Sequence, residues 1–471
     1  MDEFQLEDAE SPETVSPGGE PANLPYQDRS LKHRMILGYV WTFFGYGASQ
    51  VLRFGSGIVT RHLLLPEVFG LMGMVNTTLQ GLQMCSEMGI GASIVQHPKG
   101  EDAEFLRTAW TIHVLRGFTL WLCACLLTLP IARFYEEVPL LWLIPAGTLT
   151  VLIDGFKSMK FFTLARRLEI RVLTIIDLSC QAVTITVTIV WAWLWPSVWA
   201  LVAGALCGCA LRVTFSHLVL GPPRMRFAFD PDIAKKLIHF GKWLFLSTIL
   251  TFLIGFIDKG VLGKLMENMA SFGVYMTACL FSNAMVDVVR KVSQNVLFPV
   301  YSRLAEQGSE RLRTQTLRIR RLMLLATLPP VWVLIVWGPE IIDLLLPVEF
   351  AAAGGYLQLL AIGTLFSTVL IPVGSVLLAA GDSFRHMLCQ ATQSVILVLA
   401  MIVGAYWGGG TGVGLINGVI LGFVSGSFLY YPVLAILVRK YNVWFPGLDF
   451  LAVAVSGAAI GIGFWLKSLW V

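Results

Sequence analysis

The sequence predicts an all-α protein that crosses a membrane many times, built as two pseudo-symmetric six-helix lobes with about one extra helix at the C-terminus. Three observations lead there. Of 471 residues 56% are hydrophobic and only 14% charged, and mean hydropathy is +0.72, far above what a soluble domain carries. The apolar residues gather into runs of about 20, the length that spans a bilayer. Basic residues concentrate in alternate connections between those runs, as they do when loops rich in Lys and Arg stay cytoplasmic.

Taken in order, residues 1–30 are acidic, rich in Pro and Gly and poor in aromatics, a composition that cannot bury a core. They are predicted to be a disordered cytoplasmic tail, and they lack the basic start of a signal peptide. Six spans follow at 37–60, 69–92, 108–131, 140–158, 172–195 and 197–219, forming a first lobe over 31–221. Six more, at 241–262, 271–298, 322–346, 356–380, 387–407 and 411–438, form a second lobe over 222–440. A thirteenth at 449–470 lies in the extra segment 441–471.

A cytoplasmic N-terminus puts the clusters around Lys32, Lys99, Arg107, Lys157 to Arg171, Arg224 to Lys236, Arg303 to Arg321, Arg385 and Arg439 on the inner side. The outer side receives only Arg61, Arg133, Lys259, Lys264 and Lys467. The net charge of +4 therefore reflects topology, and no nucleic-acid partner is expected. All eight cysteines fall inside predicted spans and read as small packing residues. Cys123/Cys125 and Cys207/Cys209 point to different helix faces and have no His cluster beside them, so neither a disulfide nor a metal is expected.

The lobes are expected to repeat one another. Arg61 precedes Phe69-Gly70 by the same interval that separates Lys264 from Phe272-Gly273, and Leu106-Arg107-Thr108 recurs as Leu312-Arg313-Thr314 at nearly the same separation. Because six is even, both lobes enter from one side, and the repeat is parallel. A transporter with its site between the lobes is the natural use of such a repeat. A polytopic glycosyltransferase or polymerase would need a long extramembrane loop bearing acids or His, and none is present, so no enzyme activity and no cofactor is expected.

Polar side chains in hydrocarbon must face a partner or a water-filled cavity. Four spans carry them at helical spacing. The first has Thr42, Ser49, Arg53, Ser56 and Thr60; the second has Asn76, Gln80, Gln83 and Glu87. The seventh has Ser247, Thr251, Gly255 and Asp258; the eighth has Asn283, Asp287, Arg290, Lys291 and Gln294. These are the first two spans of each lobe, where a pseudo-symmetric pair would line a shared cavity. A charge at mid-bilayer costs about 3 kcal/mol or more, so Asp287, Arg290 and Lys291 are assigned to that cavity. The plainer alternative is that Asp287 neutralises Lys291 one turn on. Arg116 and Arg212 are read as snorkelling or pairing groups, Asp154 and Asp177 as ion-pair partners, His113 and His217 as packing or hydrogen-bonding groups, and Glu340 and Asp343 as structural.

Several stretches resemble the flippases for lipid-linked oligosaccharides. These are often called polysaccharide biosynthesis proteins, of the multidrug/oligosaccharidyl-lipid/polysaccharide exporter superfamily. The likeness rests on LPEVFGL (65–71), EMGIGASIVQ (87–96), IDKGVLGKL (257–265), FGVY (272–275) and LFPVYSRL (297–304). It continues in WGPEIIDLLLPVEFAAAGGYLQLLAIG (337–363) and LAAGDSFRHM (378–387). Relatives usually have twelve or fourteen helices, so an odd count is a departure.

The resemblance implies a V-shaped bundle of two lobes alternating between inward-open and outward-open states in the bacterial inner membrane. Its substrate would be an undecaprenyl-diphosphate-linked oligosaccharide repeat unit for exopolysaccharide or O-antigen, with a polysaccharide polymerase and glycosyltransferases as partners. A cationic cavity suits a diphosphate. On that basis Arg53, Arg290 and Lys291, with Asn283, Gln294 and Gln80, are assigned to substrate, and Asp258, Glu87 and Asp287 to a coupling proton or Na+. A lipid II flippase and a drug/cation antiporter of the same superfamily are the alternatives, the latter disfavoured because its cavity should be net acidic.

Overall fold

The computed structural model describes residues 26–84, 90–91, 94, 101–166, 169–219, 226–231, 233, 258–266, 268–293, 297, 301, 309–379, 382–409, 412–441 and 444–469. Among them the chain is helical throughout, with no strand. Nine of these helices are long and apolar enough to cross a membrane, and Leu140–Gly155 is a shorter apolar helix.

The first lobe contains α1 (Tyr26–Leu63), α2 (Pro66–Met84), α3 (Ala103–Tyr135), α4 (Leu140–Gly155), the short α5 (Lys160–Arg166), α6 (Ile170–Leu194) and α7 (Trp199–Leu218). Most of the seventh predicted span lies outside the described residues; its end, 258–265, is helical. Beyond it come α8 (Met269–Val292), α9 (Ser309–Leu345), α10 (Ala353–Ala379), α11 (Ser383–Trp407), α12 (Gly412–Leu429), α13 (Tyr431–Val438) and α14 (Pro446–Ser468). The twelfth predicted span is thus two helices. The break comes at Tyr430, just before Pro432 near the start of α13, where a residue without an N–H is tolerated.

Packing order repeats from lobe to lobe. In the first, α2 packs on α3 and α4, α3 on α4, α4 on α7 and α6 on α7. In the second, α8 packs on α9 and α10, α9 on α10, α10 on α12 and α11 on α12. Centrality differs within this pattern. The spanning windows of α8 and α10 are 61% buried, whereas that of α6 is 17% buried and turns Trp193 and Leu194 outward. An apolar outer surface is what hydrocarbon, unlike water, accepts without cost.

The lobes meet where α2 packs on α8. Gly70 and Gly273, the two glycines matched by the repeat, lie face to face: a Cβ on Gly70 would collide with the Met269 carbonyl, and one on Gly273 with the Pro66 carbonyl. Only two hydrogen side chains allow this backbone approach. One apolar cluster, including Phe69, Met74, Phe272, Tyr275 and Phe350, runs across both lobes at this end.

Two expectations about the C-terminal part are sharpened. The thirteenth helix, α14, packs on α9. Its Asp449, 4% exposed, takes Arg320 of α9 at 2.5 Å and the Tyr431 hydroxyl at 3.0 Å. Arg320, which the charge pattern places in an inner loop, is instead 1% exposed. The correction follows from α9 starting at Ser309, more than three turns before the predicted span, so that its basic run is helical. Lower on the pair, Trp332 donates to Ser456, and Glu340 pairs with Lys467.

Candidate functional site: a cleft between the lobes

α1 and α8 run antiparallel past one another, and their side-chain contacts trace the lobe interface from a sealed end to an open one. At the sealed end Arg61, buried, donates Nε to Thr277 at 3.0 Å and Nη1 to its own Gly57 carbonyl at 2.9 Å, with its guanidinium 4.4 Å from the centre of the Phe69 ring. The expected outer-loop position of Arg61 is therefore corrected to a buried inter-lobe one. Moving along, Phe54 and Phe281 meet edge to face at 5.8 Å. Next, Arg53 Nη2 reaches Asp287 Oδ2 at 3.3 Å, and Arg290 Nη1 reaches Asp287 Oδ1 at 3.2 Å. Beyond these, Lys291 lies 5.8 Å from the centre of the Tyr46 ring.

Exposure rises along the same path. Thr277 is fully buried, whereas the side chains of Arg53, Asp287 and Arg290 are 46%, 31% and 56% exposed. Ten residues of α8, about 15 Å, separate the sealed from the open part. Asn283 on α8 and Asn76 and Gln80 on α2 are exposed as well. The polar faces thus border an open cleft that ends at the glycine contact.

The structure brings Arg53, Asp287 and Arg290 together, with Lys291 one turn beyond Asp287. Asp287 pairs with Arg53 and Arg290 and not, as the plainer alternative has it, with Lys291; among the described residues no carboxylate is paired with Lys291. Asp258 does not join this group. It is 5% exposed, accepts from the Tyr275 hydroxyl at 2.6 Å and lies 3.7 Å from Lys259, three turns up α8 from Asp287. Its helix reaches the sealed end, which is why it is buried. Glu87 and Gln294 lie outside the described residues.

The α1 and α2 stripes also divide. Ser49 and Gln181 of α6 exchange hydrogen bonds at 2.7 and 2.9 Å, and Thr60 donates to the Ser56 carbonyl, so neither serves the cleft. The backbone carbonyl of Gln83 accepts from Arg116 of α3 at 3.3 Å. Tyr46 is the cleft residue that a list of polar side chains misses. Its signal was present, one turn after Thr42 and two before Arg53, but an aromatic at that spacing reads equally well as packing. Asp154 pairs with Lys157, and Asp177 with Arg212, as the ion-pair reading expects. Among the described residues no group of His, Cys, Asp or Glu is placed to hold a metal ion.

Among the described residues, the open part holds three cations, Arg53, Arg290 and Lys291, against one carboxylate, Asp287. A pair as exposed as Arg53 and Asp287 contributes no more than about 1 kcal/mol, so it orients the guanidinium groups without locking the lobes. An anion entering the cleft meets donors already held in place, two of them planar forks suited to phosphate oxygens.

Comparison with known proteins places this geometry. The family model described as polysaccharide biosynthesis protein matches residues 58–354. The chain is 23% identical over 447 residues to the lipopolysaccharide biosynthesis protein WzxC of Escherichia coli K12, covering 92% of this chain and 89% of that protein. It is 21% identical over 421 residues to a membrane protein in the cps region of Klebsiella pneumoniae, covering 88% and 85%. Among solved structures, lipid II flippase MurJ in an inward-closed conformation matches with TM-score 0.70 and 14% identity over 92% of this chain and 93% of that one. An inward-facing multidrug resistance MATE family transporter matches with TM-score 0.63 and 14% identity over 83% and 95%. The fold is therefore that of these two transporters. With more than half of its length matched by the family model, the chain belongs to the polysaccharide biosynthesis protein family.

Proposed function

We propose that this multi-pass membrane protein is a flippase for a lipid-linked oligosaccharide, and more narrowly that it carries an undecaprenyl-diphosphate-linked repeat unit across the bacterial inner membrane for surface polysaccharide synthesis. The observation that carries the reading is the cleft, sealed at the Gly70/Gly273 end and cationic where it opens. Arg53, Arg290 and Lys291 are assigned to the diphosphate, and Asn283 and Gln80 to the polar head group; the lipid tail stays in the bilayer. The name of the relative in Escherichia coli supports polysaccharide as the product line. With the N-terminus cytoplasmic, as the basic connections require, the open end faces the cytoplasm, where such a substrate is made.

The diphosphate competes with Asp287 for the same donors, because both are oxygen anions seeking a guanidinium fork. Asp287, freed on loading, is then the carboxylate available to a coupling proton or cation. The antiporter alternative fits less well, since organic cations would enter a cleft with an excess of cations.

The test is Arg290→Ala with Lys291→Ala. Surface polysaccharide is expected to fall to background while the protein reaches the membrane at its usual level. Normal output from that double variant would overturn the assignment. If an excess of lipid II instead accumulates on the inner face, the lipid II reading replaces the polysaccharide one.

A further inference from the structure

The cleft face of α1 continues past the point where the cleft closes. Tyr46, Gln50, Arg53, Gly57 and Arg61 follow one another at three- and four-residue steps, so they share one face of the helix. Arg61 lies beyond Arg53 by about 12 Å along the axis, in the sealed part. It is 7% exposed, and its guanidinium is held by the Thr277 hydroxyl, the Gly57 carbonyl and the Phe69 ring, all neutral. Among the described residues no carboxylate is paired with it. Asp258, the buried carboxylate of that end, is taken by Tyr275 and Lys259.

Other cations of this chain are matched. Among the described residues the other buried arginine, Arg320, has Asp449, and Lys264, the counterpart of Arg61 in the repeat, has Glu136. A buried charge without an opposite charge is costly, and ionisable groups inside membrane proteins mark substrate and ion paths. We propose that Arg61 is an anion-binding station at the sealed end of the cleft. When the lobes part there, its guanidinium exchanges the Thr277 hydroxyl for an oxygen of the substrate's diphosphate.

Of these three contacts only one crosses the lobes. Gly57 and Phe69 belong to the first lobe and stay with Arg61. Thr277 is tied to α8 by its own bond to the Gly273 carbonyl at 2.9 Å and leaves with the second lobe. Parting therefore frees Nε, while Nη1 keeps the Gly57 carbonyl. Nε–H and the neighbouring Nη2–H form one planar edge of the guanidinium, the shape that takes two oxygens of a phosphate. Gly57 supplies the room: a Cβ there would lie 3.4 Å from Arg61 Nη1 and 3.2 Å from Leu280 Cδ2.

Two cationic stations on one helix face give an anion a route along the lobe interface, Arg53 at the open part and Arg61 at the sealed one. Because Arg61 is buried while the lobes touch, an anion there binds only the parted state and stabilises it by that difference. The plainer use of Arg61 is a latch. A latch to a neutral hydroxyl needs a donor and no charge, whereas a station needs the charge. That the anion is a diphosphate rests on the flippase reading; that the site takes an anion does not.

Labelling of a Met276→Cys reporter, next to Thr277, separates the two in the full chain without native cysteines. Spheroplasts receive membrane-impermeant methanethiosulfonates from outside, one bearing a sulfonate and one a trimethylammonium. The ratio of their rates, each corrected for reaction with a free thiol, does not depend on how often the sealed end opens. With Arg61 in place the ratio should favour the sulfonate. Arg61→Gln should lower it by about tenfold, and Arg61→Lys should preserve it. Thr277→Val should raise both rates and leave the ratio as it was. Millimolar pyrophosphate outside should slow the sulfonate reagent with Arg61 present and not in Arg61→Gln. An unchanged ratio in Arg61→Gln makes Arg61 a latch and overturns the proposal; an equal fall in Arg61→Lys, no slowing by pyrophosphate, or a reporter that is never labelled does so too. In cells, Arg61→Gln is expected to reduce surface polysaccharide by about tenfold or more, as loss of a charge-assisted bond does. Normal output alongside a lowered ratio overturns its use in transport. Normal polysaccharide in cells lacking the protein would instead sink the flippase reading and leave the labelling ratio to decide the anion station.

Discussion

Asp287 holds two guanidinium groups from opposite lobes, Arg53 at 3.3 Å and Arg290 at 3.2 Å. Its role is therefore positional as well as electrostatic. Asp287→Asn is expected to lower surface polysaccharide at least tenfold with little change in thermal stability, because pairs this exposed contribute about 1 kcal/mol or less. The exchange Arg53→Asp with Asp287→Arg, which restores opposite charges across the cleft, should recover part of the output that either single change loses. Absence of any recovery would mean that Arg53 contacts substrate and not merely Asp287. Sequence spacing put every member of this trio on a polar stripe but did not pair Asp287 with Arg53. On one helix Asp287 and Lys291 are one turn apart, and nothing in the sequence says that α1 brings Arg53 closer.

At the scale of helices, two contacts decide the architecture. The α2/α8 approach depends on Gly70 and Gly273, and a β-branched side chain at either meets a backbone carbonyl that cannot give way. Gly273→Val is expected to cost about 1–3 kcal/mol of the sealed arrangement, read as increased labelling of a cysteine introduced at Met276. The α9/α14 contact rests on a buried ion pair, Arg320 with Asp449. Removing one partner strands a charge, so Arg320→Met alone is expected to destabilise by about 3–5 kcal/mol, and Arg320→Met with Asp449→Leu to recover most of it. Thermal unfolding in detergent measures both. The outcome separates an integral thirteenth helix from an appendage, which no count of apolar residues could do.

Over the whole molecule, the sealed end is held by packing, with electrostatics secondary. Lys264 donates to Glu136 across the lobes at 2.8 Å. That hydrogen bond holds the Glu136 carboxyl below its usual range, so its contribution is present above the ordinary glutamate range and is lost as pH falls through the lowered value. The Glu136 side chain is 80% exposed, and the tie is correspondingly weak. Lys264→Ala should therefore leave polysaccharide output nearly unchanged. A short reducible crosslinker between cysteines at 136 and 264, in a background without native cysteines, should abolish output by holding that end shut. Recovery on reduction completes the test; output unaffected by the crosslink would mean that this end never opens.

The sequence by itself determined the membrane class, the helix runs and the polar stripes, because each follows from local composition and the 3.6-residue period. It also carried the Phe-Gly repeat, though not its meaning. Only the tertiary structure decided that the two repeated glycines touch, that Asp258 is buried with Tyr275 while Asp287 lies in the cleft, and that Arg320 is a core residue. Tertiary structure likewise split the α1 stripe, giving Ser49 to α6 and Arg53 to α8. The physical reason is common to all of these. Helical periodicity fixes which face a side chain occupies, but which neighbour covers that face depends on how two lobes meet, and that is written in contacts between residues some 200 positions apart.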